Sequence, residues 1–249
     1  MAAAPLIDDH ATPETRALYA GLQSFDAPPG VVGFDLGGIE ALAGHNLDGV
    51  AFPAIIRDVR AAHVRGDLVT LTWHSVNPLT HGGHGGRGDN RAPLSAASVL
   101  PTGRAHEKYV KWLDNVGMLI KQLTDASGTP IPLVFRPFDQ HNADRFWWGL
   151  GDGSVESDTK PDEFAALWRF TVDYLRDVSG LHNLIWTLSP DVDRITADDV
   201  AGRYVRGYPG DEFVDVLAIE TADSTLFEAV SQLAAERGKG ALSLGSNRE

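Results

Sequence analysis

Short apolar runs alternate along the chain with longer stretches in which apolar residues recur every three or four positions. The runs Leu18–Gln23, Val31–Asp35, Leu68–His74, Ile131–Phe138, Asn183–Leu188, Val214–Glu220 and Ala241–Gly245 are mostly continuously apolar. That is the pattern of parallel strands buried on both faces. Between them the periodicity changes to that of helices. Tyr109, Trp112, Leu113, Val116, Leu119, Ile120 and Leu123 form one stripe, and Phe164, Leu167, Trp168, Thr171, Tyr174 and Leu175 form another. Thr225 with Glu228 reads as a capping box ahead of Phe227, Val230 and Leu233. Gly238 is placed to end that helix. The aromatic residues of these stripes are expected in the core.

Strands alternating with helices predict an α/β fold with a parallel sheet. The first strand is not followed by a glycine-rich phosphate fingerprint, which disfavours a dinucleotide-binding fold. A TIM (β/α)8-type barrel is the better expectation, as a single catalytic-type domain over residues 1–249. Seven strands are counted and the eighth is not accounted for, so the barrel is expected to be incomplete there. Two long connections, Ser75–Gly103 and Leu150–Thr159, follow strands and so fall on the C-terminal face, where barrels carry their sites.

Composition narrows this picture. A length of 249 residues with 43% hydrophobic and 22% charged positions suits one large globular domain. The formal net charge of −13 repels phosphate backbones, so no nucleic-acid partner is expected. There is no cysteine, which excludes disulfides and thiolate chemistry. The N-terminal Met1-Ala-Ala-Ala-Pro5 lacks the basic and apolar regions of a signal peptide. No apolar run approaches a membrane span, so no membrane association is expected. A monomer that takes a small-molecule or oligosaccharide ligand, with no cofactor, is the expected form.

Specific segments then carry a family resemblance. Val31-Val-Gly-Phe-Asp-Leu-Gly-Gly38, Thr72-Trp-His-Ser-Val-Asn-Pro78, Phe135-Arg-Pro-Phe138 and Phe146-Trp-Trp-Gly149 resemble glycoside hydrolase family 26. So do Leu167–Arg176, His182–Trp186, Ser189-Pro190, and Tyr208–Asp211 followed by Val214–Leu217. The motifs occur in the right order over nearly the whole chain. The resemblance implies a TIM barrel and endo-acting, retaining hydrolysis of β-1,4-mannan. It also implies secretion as the usual localisation of the family, although no signal peptide is expected here. A retaining mechanism needs two carboxyl groups about 5–5.5 Å apart.

The positions that the resemblance marks as catalytic do not carry those groups. The family's Arg-Pro-x-His-Glu pattern falls on Arg136-Pro-Phe-Asp139-Gln140, so the acid/base position is Gln140. The nucleophile position at the end of the last strand is Leu244. Other departures gather at the same mouth: a His-Gln pair reads Leu22-Gln23, a Trp reads Arg145, a Tyr reads Leu188, and an Asp-x-Tyr reads Glu220-Thr-Ala222. Drift alone would not spare the frame while changing nearly every position of one face. The pattern implies a re-engineered site or a natural pseudoenzyme.

The residues left at the mouth bound the chemistry. Asp139, with Phe138, Leu22, Leu188, Leu244 and Trp147 or Trp148 as expected neighbours, reads as a carboxylate whose pKa is raised by desolvation, hence a candidate general base. The competing reading pairs it with Arg136 or Arg145, which lowers its pKa. Glu220 is a second candidate catalytic carboxylate or a structural partner. Gln140 could donate to a developing anion, and Arg145 could do so with charge. His74 and Asn77 match substrate-binding positions of the family, and His141 could join His74. Trp147 and Trp148 are expected to divide between a stacking face and the core. His81 and His84 read as solvated imidazoles in a glycine-rich loop, and no metal site is expected.

Three functions stay open at this level. One is a mannanase-type hydrolase of weak or lost activity. Another is a designed catalyst that uses Asp139 or Glu220 as a base for proton abstraction, such as a Kemp-type elimination. The third is a carbohydrate-binding pseudoenzyme.

Overall fold

The computed structural model describes residues 10–23, 30–80 and 92–245. Six strands form one parallel sheet: β1 (Val31–Asp35), β2 (Leu68–Thr72), β3 (Leu133–Arg136), β4 (Leu184–Leu188), β5 (Val216–Ile219) and β6 (Gly240–Ser243). They are ordered in space as in sequence. The helices between them are α2 (Phe52–Arg65), α3 (Ser95–Val99), α4 (His106–Ile120), α5 (Pro161–Asp173), α6 (Val200–Arg203) and α7 (Ser224–Glu236). The result is an incomplete α/β barrel, which bears out the expected fold class.

The first expected strand is absent. Leu18–Gln23 lies instead in a helix, α1 (Pro13–Gln23). The start signal is local: the Thr15 backbone N–H donates to Thr12 Oγ1 at 3.2 Å, with Pro13 in the first helical turn. Tyr19 and Leu22 are buried. They pack with Leu68, Val134, Ile185, Val216, Ala218 and Leu242 into one apolar cluster on the concave face of the sheet. Alternate strand residues point to that face, and α1 fills the space a barrel's interior would occupy. Gly240 permits the close approach, because a Cβ there would meet Val216 Cγ2 at 3.2 Å and Leu22 Cβ at 3.4 Å.

The convex face carries the larger core. The two stripes read from the sequence are buried there except for Tyr174, which is partly buried, with Trp168, Tyr109, Trp112 and Phe164 among the residues of a cluster under α2, α4, α5 and α7. Helix α5 runs on into a π-helical turn, Tyr174–Val178. The cap of α7 differs from the expected capping box. Asp223, not Thr225, sits at the N-cap and accepts from the backbone N–H groups of Thr225 and Leu226. Gly238 has φ +68 and follows the helix as expected.

Candidate functional site

The register of the sheet assembles the site. Asp35 pairs with Thr72 and Thr72 with Arg136, so these three stand side by side at the C-terminal ends of β1, β2 and β3. The same alternation carries Val216 and Ala218 on to Glu220, and Gly240 and Leu242 on to Leu244. All lie at the strand ends where barrels place their chemistry.

Asp35 anchors the arrangement. Its Oδ2 accepts from the Thr72 hydroxyl at 2.8 Å and lies against His74 Nδ1. Its Oδ1 accepts from the Gly37 backbone N–H at 2.6 Å. On the other side of the ring, His74 Nε2 is 2.8 Å from Asp139 Oδ1. At this distance the two groups form an ion pair. Asp139 Oδ2 is 3.8 Å from Arg136 Nη1, which donates to Glu220 Oε1 at 2.6 Å. Charge therefore alternates from Asp35 through His74, Asp139 and Arg136 to Glu220.

This network sets the protonation states. Burial disfavours the His74 imidazolium, but the charge of Asp139, hydrogen bonding to Asp139 and Asp35, and the charge of Asp35 together push its pKa up to about 10. Burial works against the Asp139 carboxylate as well, yet His74, Arg136 and Arg145 hold its pKa below the usual value. Of the two readings of Asp139 left open by the sequence, this environment favours the lowered pKa. Its side chain is buried among charges, and Leu22 belongs to α1 on the concave face. The pairing partner that the sequence reading missed is His74.

Aromatic residues hold this side in place. His74 stacks on Phe146 with ring centroids 5.0 Å apart, and Phe146 stacks on Trp148 at 4.5 Å and 3°. Trp148 donates to the Asp139 carbonyl at 3.1 Å, and Trp147 to Ser75 Oγ at 3.2 Å. Both indoles are fully buried, so neither presents the stacking face expected of one of them. Gln140 takes a left-handed φ of +53, which favours few residues other than glycine and asparagine. Its N–H donates to the Ser189 carbonyl at 2.6 Å, which fixes this turn against the end of β4.

Several expected binding residues are otherwise engaged. Asn77 is buried, donates to Ser95 Oγ at 2.9 Å and accepts from the Leu79 N–H at 2.8 Å, which makes it a loop brace. His141 is fully buried and stacks on Phe164 at 5.1 Å, and burial lowers its pKa to about 4. It is a neutral core ring, and the charge of Asp139 only partly offsets its burial. Leu244 is half-buried, packs against the concave apolar cluster, and donates its N–H to the Ile219 carbonyl at 3.0 Å. Arg145 remains substantially exposed and pairs with Asp191 at 2.8 Å. His81 and His84 lie outside the described residues. Among the described residues no cluster of His, Asp and Glu is arranged to hold a metal, and no helix is long and apolar enough to cross a membrane.

Two functional-looking residues were not singled out from the sequence. Asp35 stands out in the sequence only within a motif, although its place at a strand end is a signal. Glu40 is buried and accepts from Gly38 N–H, Trp73 Nε1 and Val76 N–H at 2.9–3.1 Å. It ties the loop after β2, and with it His74, to the turn after β1.

The arrangement resembles known proteins. A mannan endo-1,4-β-mannosidase of Bifidobacterium adolescentis is 33% identical over 211 residues, covering 85% of this chain and 19% of that protein. The mannan endo-1,4-β-mannosidase A and B of Caldalkalibacillus mannanilyticus is 30% identical over 157 residues, covering 63% of this chain and 29% of that protein. The chain thus spans less than a third of the length of these two curated relatives. A Bacteroides ovatus GH26 β-mannanase structure superposes with a TM-score of 0.77 at 28% identity, over 93% of this chain and 76% of that one. A Cellulomonas fimi modular endo-β-1,4-mannanase gives 0.76 at 27%, over 96% and 61%. The family model for glycosyl hydrolase family 26 matches residues 16–235, from the first turns of α1 almost to the end of α7, and on that match the chain belongs to glycosyl hydrolase family 26.

Proposed function

We propose that this chain is a carbohydrate-binding member of its family in which mannan hydrolysis is weak or lost. The observation that carries the reading is the clamping of Asp139 between His74 and Arg136. A glycosidase acid must hold a proton until the leaving oxygen takes it, which calls for a raised pKa. Asp139 is shifted the other way. Gln140, at the position that the family resemblance assigns to the acid/base, has an amide and cannot deliver a proton. Leu244, at the position that it assigns to the nucleophile, has no lone pair with which to attack an anomeric carbon.

The polar side chains that reach the surface suit sugar hydroxyls. Glu220 is 42% exposed and Arg145 likewise 42%. His74 is exposed along part of its ring, and Gln140 is half-buried. Carboxylate, guanidinium and amide groups at one mouth can accept from and donate to a saccharide without touching its glycosidic bonds. The use of Asp139 as a general base for proton abstraction loses support, because a lowered pKa makes a weaker base.

Calorimetry with mannohexaose, run beside a reducing-sugar assay on mannan, tests the reading. Binding without release of reducing ends is the expected result. Release that disappears in both Asp139→Asn and Glu220→Gln would show a working carboxylate pair and overturn it.

A further inference from the structure

An apolar groove of about 360 Å³ opens between α2 and α4, and none of its lining residues belongs to the charge network that runs from Asp35 to Glu220. Its walls are the turn after β1, with Ile39 and Leu42, the first turns of α2, with Phe52 and Ile56, and the outward side of α4, with Met118 and Leu119. The polar side chains in the lining are two amides, and both are committed to the protein. Asn115 Nδ2 donates to the Glu40 carbonyl at 3.0 Å, and Gln122 Nε2 to the Met118 carbonyl at 3.1 Å. An occupant therefore meets mainly hydrocarbon.

Two large apolar side chains are held open to solvent here: Leu42 is 65% exposed and Met118 54%. Leu42 ends the 3-10 turn Ile39–Ala41 at φ +54, with its N–H donating to the Ile39 carbonyl at 2.9 Å. Bulky residues rarely adopt this left-handed conformation, in which glycine ends turns without strain. A glycine would close the turn more cheaply, and an exposed leucine gains little from the core. Backbone strain of this kind gathers at ligand clamps.

The groove runs on into a second hollow of about 480 Å³, with which it shares Asn115 and Met118. Both hollows follow the outward stripe of α4, where Lys111, Asp114, Met118 and Lys121 recur at steps of three and four. The second hollow is charged. Asp114 accepts from the Tyr174 hydroxyl at 2.8 Å. The ammonium groups of Lys111 and Lys121 make no ion pair or hydrogen bond among the described residues. A cationic end thus adjoins an apolar groove, on a chain whose net charge is −13.

We propose that this groove binds a medium-chain alkyl carboxylate. Its hydrocarbon would lie against Leu42, Ile56 and Met118, and its carboxylate at Lys121, one helical turn beyond Met118. Lys111 adds to the positive field. Each hollow is of small-molecule size, within about 300–1,000 Å³. A partner protein would bury about 800 Å² on this side, more than the lining of the two hollows exposes. A bilayer fits less well, because an anionic lipid surface repels a chain of net charge −13. The site is independent of the carbohydrate-binding reading.

Amide chemical shifts of the 15N-labelled chain, titrated with sodium octanoate, 1-octanol and acetate, test it. Octanoate is expected to move the amides of Leu42, Ala43, Met118, Leu119 and Lys121 in one saturable transition. The double variant Lys111→Gln/Lys121→Gln is expected to weaken octanoate about tenfold and to leave octanol unchanged. Leu42→Gly is also expected to weaken octanoate about tenfold. It should do so without lowering the urea midpoint, because release of the strain at φ +54 offsets the lost contacts. A lower midpoint with unchanged octanoate binding would make Leu42 merely structural and overturn the proposal. Octanol that binds as tightly as octanoate would overturn it, as would acetate that moves the same amides, which marks a bare anion site. Shifts scattered over the chain, or none, would do the same. Co-sedimentation with phosphatidylglycerol vesicles, with no octanoate shifts in the groove, would mark a membrane-binding face and overturn it. If a variant fails to fold by thermal melting, the octanoate map and the octanol comparison on the unaltered chain decide.

Discussion

His74 Nε2 stands 2.8 Å from Asp139 Oδ1 while the other ring nitrogen lies against Asp35. An imidazole between two carboxylates is stabilised as the cation from both sides, and Asp139 is stabilised as the anion. The arrangement therefore fixes charge in place where a proton-transfer catalyst would need a group that can change it. It also explains how an acid can be buried at the mouth of a barrel without being held neutral.

The pH dependence of stability follows from these shifts. The folded-state pKa of His74, about 10, lies above its unfolded value, about 6.5. A raised pKa contributes stability that is fully present below pH ~6.5 and is lost as pH rises toward 10. Asp139 is shifted down, so its contribution is present above its unfolded pKa near 3.9 and is lost as pH falls through the folded value. Urea midpoints should fall from pH 6.5 to pH 10, and the fall should flatten in His74→Gln. An unchanged slope in that variant would remove the basis for the imidazolium.

Cutting the network at Asp139 should cost more than removing an exposed charge. Asp139→Asn leaves His74 facing one carboxylate and Arg136 buried beside a neutral amide. Loss of one partner of a buried ion pair typically costs about 3–5 kcal/mol. The variant is expected to unfold at lower urea by an amount of that order. Its His74 should also titrate at lower pH, followed through the imidazole proton shifts. A His74 titration that does not move would show that Asp139 does not set it.

Much of this was legible in the residues. The continuous apolar runs gave six of seven strands because burial on both faces leaves no polar alternation to confuse. Leu18–Gln23 was misread because a short apolar run has no period of its own. The decisive signal was Thr12-Pro13, a helix start, and the filling of the concave face by Tyr19 and Leu22 is a tertiary effect. At the candidate site, Asp139 and Glu220 are legible as candidates because carboxylates at strand ends stand out. Their environment was not, since His74, held by Asp35, reaches Asp139 from a loop far away in sequence. Asn77, His141, Trp147 and Trp148 carry the right chemistry for binding, but only the fold shows that their polar atoms or faces are buried.

Restoring one family position should not restore turnover. Gln140→Glu places a carboxyl group at the position that the family resemblance assigns to the acid/base, but leaves Leu244, at the position that it assigns to the nucleophile, without an attacking atom. A retaining displacement needs both groups. Mannan incubated with this variant should yield no more reducing ends than with the unaltered chain. Turnover by the single variant would mean that another carboxylate, Glu220 above all, attacks in place of residue 244.

The helix in the concave face should behave as core. Leu22 packs with Val216 and Leu242 and lies against Gly240, so Leu22→Ala removes buried methyl groups where the sheet cannot easily collapse. Such truncations cost about 2–5 kcal/mol. Gly240→Ala acts from the other side: the added methyl meets Val216 Cγ2 at 3.2 Å and Leu22 Cβ at 3.4 Å, and overpacking of this kind costs about 1–3 kcal/mol. The two residues touch, so their effects should not add. In the double variant the Leu22 Cβ that the new methyl meets is kept, but the lost isopropyl group leaves α1 room to shift away from it, and the urea midpoint should exceed the additive value. Strict additivity would place α1 away from the sheet and remove it from the core.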